Sequence, residues 1–445
     1  MKVWGALLVV ALGGCATYRP EPLDSAPAAL AEPFVAELSQ AASAVERPWL
    51  PPQQVDLSQP LTPQALSAIA VVANPDLEAQ RVRAGVKDAQ VFAAGLLPDP
   101  TFSLGVNKVL SGPDTLLDIT GALGLDLNAL RTRAVSRRMA IAEARQVRLD
   151  LAWAEWQTAG QARLQAAKVI ELTRVTELSR TSKEVARSLL DRITRAAGRG
   201  DIAGDRLQAA RLALLTATEQ LRTAETDLAA AQSELRRQLG LPPEFGLQLA
   251  RPDLPPPPPP TATLFMLAET NRTDLAALRA GYAAQEAIVR KAILEQFPTL
   301  NIALNGARDS AGNLLAGPSV DFTLPLWNRN RGTIAVERAS RAALKAEYDA
   351  RLFQTRADIA AAEAGLAVAY RRRADALRDL PKLRQYAEAT RRAATRGDLS
   401  LETAQNAEQS LRDRELVVAQ AEQAIAEQSI ALELLTGTPR EAWPQ

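Results

Sequence analysis

The sequence contains no histidine and only one cysteine among its 445 residues. Histidine is the commonest general base and a frequent metal ligand, so a zinc, copper or iron site would have to consist almost wholly of carboxylates. The sequence also lacks a phosphate-binding GxxxxGK[ST] loop and any other recognisable catalytic motif. We therefore predict that the protein is not an enzyme, holds no metal and uses no cofactor.

Aromatic residues and net charge are also scarce. Aromatics make up 4% of the chain, and 52 Lys and Arg against 51 Asp and Glu leave a net charge of +1. A nucleic-acid-binding protein needs a basic surface, so this balance excludes nucleic acid as a general partner. The abundant residues are small and apolar, mostly Ala, Leu and Val, which is typical of long helices packed side by side.

The N-terminus predicts an exported protein. Lys2 precedes an apolar run, residues 4–12, which is too short to span a bilayer as a helix. The run ends in Leu-Gly-Gly-Cys15, which resembles a bacterial lipobox and implies a signal peptide over residues 1–14 with lipidation of Cys15. An ordinary signal peptide is the alternative, but the only cysteine of the chain stands at this position. Residues 15–60, rich in Pro, Ala and Ser, predict an extended lipid-anchored tether.

The remainder of the chain is an internal duplication. Asp-Leu at 76–77 and at 274–275 each precede a proline by 24 residues, and Arg-Gly-Asp at 199–201 and 396–398 each lie 40 residues before a glycine. Chance similarity among Ala-rich helices does not produce matched spacing of unlike elements. We predict a first repeat over 61–250, a Pro-rich linker over 251–262 and a second repeat over 263–445. Each repeat is expected to contain a helix, two strands, a very long helix, a tip and a shorter helix.

Four segments alternate apolar residues with small or polar ones, which predicts strands with one apolar face. The apolar positions are Phe102, Leu104, Val106, Leu117, Ile119, Leu123, Leu125, Leu127, Leu300, Ile302, Leu304, Val320, Phe322, Leu324 and Leu326. A half-buried sheet in a soluble domain fits this pattern, and so do the strands of a transmembrane barrel. Four strands cannot close a barrel, and lipid does not tolerate open edges, so a membrane sheet predicts an oligomer.

Two proline-poor stretches predict very long helices. Residues 129–197 contain no proline and would span about 104 Å as one helix. In residues 331–395 only Pro381 interrupts, and we expect a kink or a break there. Heptads of large and small apolar residues over 207–235 and 404–432 favour close coiled-coil packing. An isolated helical hairpin would not explain the strands that lie between such helices.

Together these features resemble the TolC-type outer-membrane efflux channel family, including its lipid-anchored members. The resemblance rests on Cys15, the duplicated unit, the Gly-Asp turns and the strand exit over 323–332, which reads TLPLWNRNRG. It implies a mainly α chain with a small β part, four strands of which join a trimeric 12-stranded transmembrane β-barrel, continued by a long α-helical coiled-coil barrel across the periplasm. The first-repeat exit, residues 125–130, lacks the proline and the aromatic residue, so the two halves are not equivalent there.

The resemblance also implies a function and partners. The protein would be a homotrimeric exit duct in outer-membrane lipid, conducting solutes passively, with a periplasmic adaptor protein joining it to an inner-membrane transporter. The alternative is a periplasmic adaptor lipoprotein, which also combines lipidation with helical hairpins. Adaptors have one hairpin flanked by mostly β domains, whereas here two long-helix units each follow a strand pair.

Acidic residues at the tips are the predicted periplasmic gate. Asp201 and Asp205 match Asp398 and Glu402, within one helical turn of each turn glycine. In a trimer they would form acidic rings where the helices converge. The alternative is helix capping, because acids near a helix N-terminus stabilise it.

Two further groups of residues follow from the same resemblance. The predicted adaptor contacts are Arg199, Gly200, Arg396 and Gly397, for which solvated turn residues are the alternative. On the polar strand face, Asp118, Asp126 and Asp321 are predicted to face the lumen and to give a mild cation preference.

Overall fold

The computed structural model describes residues 18–23, 33–111, 116–199 and 204–444. The helices of these residues are α1 Val35–Ser43, α2 Pro63–Ala73, α3 Pro75–Gly95, α4 Leu127–Gly198, α5 Gly204–Gln238, α6 Thr261–Asn271, α7 Thr273–Leu294, α8 Arg331–Arg396 and α9 Leu401–Thr436. The strands are β1 Thr101–Lys108, β2 Leu117–Asp126, β3 Leu300–Arg308 and β4 Leu314–Phe322. The predicted fold class, mainly α with a small sheet of four strands, is confirmed.

Two copies of one unit follow each other along the chain. The series α2, α3, β1, β2, α4, α5 is repeated as α6, α7, β3, β4, α8, α9. Two helices precede each strand pair, where the sequence predicted one. The division in the first copy lies at Asn74, whose Oδ1 accepts the N–H groups of Asp76 and Leu77 while Pro75 begins α3. Proline is well suited to that first helical position because its missing N–H has no partner there.

Each copy is closed by a glycine at the end of its last helix. Gly240 has φ +65°, and a Cβ there would lie 2.0 Å from the carbonyl oxygen of Ala73. Gly437 has φ +70° and lies against the backbone of Arg272, at the equivalent helix junction of the second copy. The matched glycines of the sequence therefore permit both a left-handed turn and a close backbone approach.

The strands form one antiparallel sheet in the order β1-β2-β3-β4. β4 begins at Leu314 and ends at Phe322, whereas the alternation over 319–326 predicted a strand that continued to Leu326. Pro318 lies inside β4, which within one chain is an edge strand whose single partner is β3. β2 ends at Asp126, and Leu127, also predicted to be in the strand, begins α4 instead.

The two long helices dominate the molecule. α4 contains 72 residues and α8 contains 66, which corresponds to about 108 and 99 Å of helix. α8 passes through Pro381 without ending, so the break that was one of our two expectations does not occur. None of the described helices combines the length and the apolar character needed to cross a bilayer.

The heptad positions of α5 and α9 are packed against these helices. In α5 two large members, Leu221 and Leu235, are at most 6% exposed, and the four small members, Ala210, Ala217, Ala224 and Ala231, are at most 7% exposed. In α9, Ala421, Ile425 and Leu432 are fully buried. Small residues on such a seam let the helices approach closely.

The predicted extended tether is wrong for residues 35–60. Here the chain forms α1 and a short bridge between Arg47 and Leu50, and Leu61 pairs with Leu249. Leu38, Ala42, Val45, Leu50 and Val55 belong to a buried core together with residues of α2, α4 and α5. These apolar side chains gain more from burial than an extended chain would allow.

Candidate functional site

One face of the sheet is apolar and exposed. Residues directly opposite each other on neighbouring strands have side chains on the same face, so the pairing of Phe102 with Leu123, Leu123 with Leu304, and Leu304 with Pro318 fixes this face. The large apolar residues that it exposes are Phe102, Leu104, Val106, Leu117, Ile119, Leu123, Leu125, Leu300, Ile302, Leu304, Leu314, Val320 and Phe322. A continuous apolar surface of this size marks a site that another apolar phase covers.

The opposite face is small and polar apart from Leu315, and it carries all three predicted lumen acids. Asp126 lies opposite Asn301, which in turn lies opposite Asp321. Asp118 is eight residues from Asp126 on the same strand, hence on the same face. Asp126 has a second role, because its Oδ1 accepts the N–H groups of the first residues of α4 and caps that helix.

The two edges of the sheet are uncovered as well. β1 and β4 each pair with only one strand of the described residues. The helices that flank them, α3 and α8, expose apolar side chains such as Val82 and Phe92 on α3 and Val336 and Phe353 on α8. A chain that leaves both sheet edges and both flanking helices exposed presents two surfaces for association.

The strand exit of the second repeat is also exposed. Trp327 is 86% exposed, and Leu324 and Leu326 are more than half exposed. Trp at the end of a strand with an apolar face is typical of the aromatic girdle where a membrane meets water. The backbone then turns sharply, with φ +47° at Arg329 and +54° at Asn330, and Asn330 Nδ2 donates to the carbonyl of Ala292.

The second tip joins residues that the sequence assigned to different roles. Gly397, with φ +84°, ends α8, and Arg396 Nε donates to Asp398 Oδ2 at 2.9 Å. The N-cap of α9 is Ser400, whose Oγ accepts the N–H of Thr403. Asp398 is therefore not the cap of α9, and it pairs with a predicted adaptor contact, while Glu402 lies in the first turn of α9.

Several of the predicted site residues are described by the structure only in part or not at all. Cys15, Gly200 and Asp201 are outside the described residues. Arg199 follows the end of α4 as its C-cap, and Asp205 is described only as a backbone position in α5. The roles of all these residues remain predictions.

A buried charge cluster on α4 was not predicted from the sequence. Glu155 on α4 accepts from Arg47 Nε at 2.6 Å and from Arg81 Nη2 at 2.8 Å. Burial alone would raise the pKa of Glu155, but the hydrogen bonds from the two arginines outweigh it and hold the pKa below its ordinary value. The cluster brings together side chains 74 and 108 residues apart, so it was not visible in any local pattern.

No metal-binding group of three or more Cys, Asp or Glu side chains occurs in the part of the chain that the structure describes. The features described above are surfaces: an apolar face, a polar face and the exposed acid of the second tip, Asp398.

Comparisons with known proteins agree with this architecture. Residues 264–438 match the family model described as outer membrane efflux protein. No curated protein sequence matches the chain significantly.

Solved structures of low sequence identity have the same fold. The CmeC outer membrane channel of Campylobacter jejuni is 13% identical with a TM-score of 0.70, and the match covers 95% of this chain and 94% of that one. VceC, an outer membrane protein of Vibrio cholerae, is 15% identical with a TM-score of 0.69, covering 84% of this chain and 96% of that one. The MtrE outer membrane channel of Neisseria gonorrhoeae, in its open state, is 16% identical with a TM-score of 0.67, covering 84% and 89%.

The family match falls within the second repeat, and the structural likeness extends over both repeats. The resemblance predicted from the sequence is confirmed: the second repeat matches the outer membrane efflux protein family, and both repeats have the fold of these channels.

Proposed function

We propose that three copies of this chain form a passive exit duct in the outer membrane, which conducts solutes delivered by an inner-membrane pump. The observation that carries the proposal is the sheet with one exposed apolar face and one small, polar face. Lipid covers the first face and water lines the second, as in transmembrane barrels. The strands of 8 to 10 residues match the length that such barrels need.

The number of copies follows from closure of the sheet. Every edge must be paired in lipid, so β4 of one copy has to meet β1 of the next, which builds a ring by head-to-tail contacts. Two copies would give eight strands, an interior that side chains fill. Three copies give 12 strands, which leaves room for a passage.

The helices continue this ring. The exposed apolar side chains of α3 and α8 lie on the two helices that flank the sheet edges, so the same head-to-tail contact covers them. With α4 and α8 each about 100 Å long, the joined helices form a tunnel that crosses the periplasm. The energy for transport comes from a partner, because the sequence contains no phosphate-binding loop.

The partners are assigned by the same reasoning. An adaptor at the tips, contacting Arg199, Gly200, Arg396 and Gly397, joins the duct to an inner-membrane transporter. Acids near the tips, including Asp205 and Glu402, form the gate, and a lipid on Cys15 adds an anchor to the outer membrane. The pairing of Arg396 with Asp398 supports a link between the adaptor surface and the gate, because displacing Arg396 would release a carboxylate.

Planar-bilayer recording of the purified full-length protein separates this function from that of a periplasmic adaptor. The duct hypothesis expects discrete conductance steps that increase in number with protein concentration. An adaptor has no closed passage, so protein that binds to the bilayer without conducting would contradict the proposal.

A further inference from the structure

A cavity of about 220 Å³ lies between α4, α9 and the segment that connects the two repeats. One part of its wall is apolar, formed by Ala167 and Ile170 of α4, Ala426 and Ile430 of α9, and Leu254 of the connecting segment. This volume is sufficient for a molecule of about the size of a dipeptide.

Polar atoms without a partner are concentrated in this cavity. Among the described residues, eight buried side-chain N and O atoms have no hydrogen-bond partner in the protein, and five of them belong to residues that line it. They are Arg163 Nε, Glu171 Oε1, Ser429 Oγ, and Nη1 and Nη2 of Arg440. Glu171 and Ser429 are 93% and 97% buried. A buried polar atom left without a partner costs free energy, so such a concentration points to a ligand.

These atoms are sorted by charge along the cavity. Arg163 Nη1 donates to Glu433 Oε2 at 2.6 Å, so Arg163 lies level with the last turns of α9, after which Arg440 follows. Glu171 is eight residues further along α4, about 12 Å by helical rise. One end of the cavity thus offers unpartnered guanidinium N–H donors beside the acids Glu433 and Glu441. The other end offers an unpartnered carboxylate oxygen beside the ion pair of Arg251 with Glu422.

The charges at each end are only partly neutralised by the protein. Burial is the main cause that raises the pKa of Glu171, and Arg174 opposes it without a hydrogen bond to Glu171. Burial also lowers the pKa of Arg440, whose guanidinium lies 5.4 Å from the Trp443 ring centroid. Burial thus disfavours the charged form of each group, and an opposite charge supplied by a ligand would offset this cost.

The internal duplication does not explain why polar residues line this cavity. At the offset of 197 that aligns Gly240 with Gly437, the counterparts of Ser429 and Arg440 are Gln232 and Pro243. Among the described residues, this lining combines Arg163 and Glu171 of the first repeat with Ser429 and Arg440 of the second. It is not a by-product of the helical seam that both repeats share.

We propose that this cavity binds a small zwitterion with an apolar body, of the size of a dipeptide. The carboxylate accepts from Arg440, Arg163 and Ser429, the ammonium donates to Glu171, and the apolar side chains lie against Ile170 and Ile430. Two residues of extended peptide span about 7 Å, and the Arg and Glu side chains cover the remaining distance. The site lies within one chain and does not depend on conduction through the assembly.

The test uses three probes on the full-length protein in detergent: the dipeptide Ala-Leu, its N-acetylated form and its C-terminal amide. Isothermal titration calorimetry is expected to show binding of the free dipeptide. Each blocked form should bind at least about tenfold more weakly, because each loses a charge-assisted contact. Equal binding of all three probes, or no binding of any, would overturn the proposal; in the second case the cavity holds only solvent.

Two variants assign the ends of the ligand. Glu171→Gln is expected to abolish the preference for the free over the N-acetylated dipeptide and to keep the preference for the free acid over the amide. Arg440→Met should produce the reverse pattern. If Glu171 or Arg440 had only a structural role, its substitution would weaken the binding of all three probes in parallel. That result would contradict the assignment. Arg378→Met, at an exposed arginine paired with Asp375, is the control and should leave both preferences unchanged.

Discussion

Replacing Leu304 by lysine tests whether the apolar face of the sheet contacts lipid or water. Leu304 is the fifth of the nine residues of β3, about 13 Å of strand from either end. The apolar band of outer-membrane barrels is about 25 Å tall, so Leu304 lies near its middle. Its cross-strand neighbours, Leu123 and Pro318, are on the same apolar face.

The free-energy cost of Leu304→Lys differs sharply between lipid and water. A lysine at the midplane of the lipid face costs about 2–4 kcal/mol per chain. In three copies at separate positions of the ring the costs add to about 6–12 kcal/mol per assembly. In a soluble protein the same change at a side chain that is 63% exposed would fall within about 0.5 kcal/mol of zero.

The matched control is Asn305→Lys, because the next residue of the strand points to the opposite, water-lined face. Urea unfolding in phospholipid vesicles, followed by tryptophan fluorescence, gives the free energy of unfolding of both variants. We expect Leu304→Lys to lose about 2–4 kcal/mol per chain, and Asn305→Lys to remain close to the unsubstituted protein. Equal stability of the two variants would refute the assignment of the two faces.

Three further predictions concern the tips, the anchor and the buried charge cluster. The double variant Asp205→Ala/Glu402→Ala should increase resting conductance in bilayers because the acidic constriction is neutralised; conductance equal to that of the unsubstituted protein would rule out the gate. Cys15→Ser should abolish incorporation of labelled palmitate in cells, and label retained by the variant would disprove the lipobox. Glu155→Gln should lower the free energy of unfolding by about 2–3 kcal/mol at neutral pH, because two partly exposed arginines lose a buried carboxylate. Since the folded pKa of Glu155 is depressed, this difference should be complete above the ordinary glutamate pKa and should disappear as the pH falls through the folded value.

Controls for these predictions come from exposed acids. Glu177→Gln removes an exposed partner of Arg180 one helical turn away and should change stability by less than about 0.5 kcal/mol at any pH. Asp375→Ala, at an exposed site on α8 far from the tip in sequence, should leave resting conductance unchanged. A response of these controls as large as that of the test variants would indicate a general charge effect.

The sequence predicted the architecture well because its signals are periodic and repeated. Alternation of residues such as Phe102 and Leu104 with small neighbours identified the strands, and the long proline-free stretch identified α4. Both ends of β4 were misplaced: its start at Leu314 was missed because Gly317 and Pro318 resemble a turn, and its end at Phe322 was missed because Leu324 and Leu326 continue the alternation. An edge strand tolerates the proline, and that position in the sheet is a property of the fold.

Long-range features could not be predicted from local patterns. By composition, residues 35–60 were predicted to be part of a tether, yet Leu38 and Leu50 are buried against helices far along the chain. The cavity joins Glu171, Ser429 and Arg440, which come from α4, α9 and the region after α9. The pairing of Arg396 with Asp398 is local, but it depends on the left-handed turn at Gly397 that places them together.

The central claim is that three chains complete one passage. Native mass spectrometry of the full-length protein, released from detergent micelles, counts the chains in the assembly directly. The account predicts particles that contain three copies and therefore twelve strands. A population of single chains, or of closed dimers with eight strands, would contradict it.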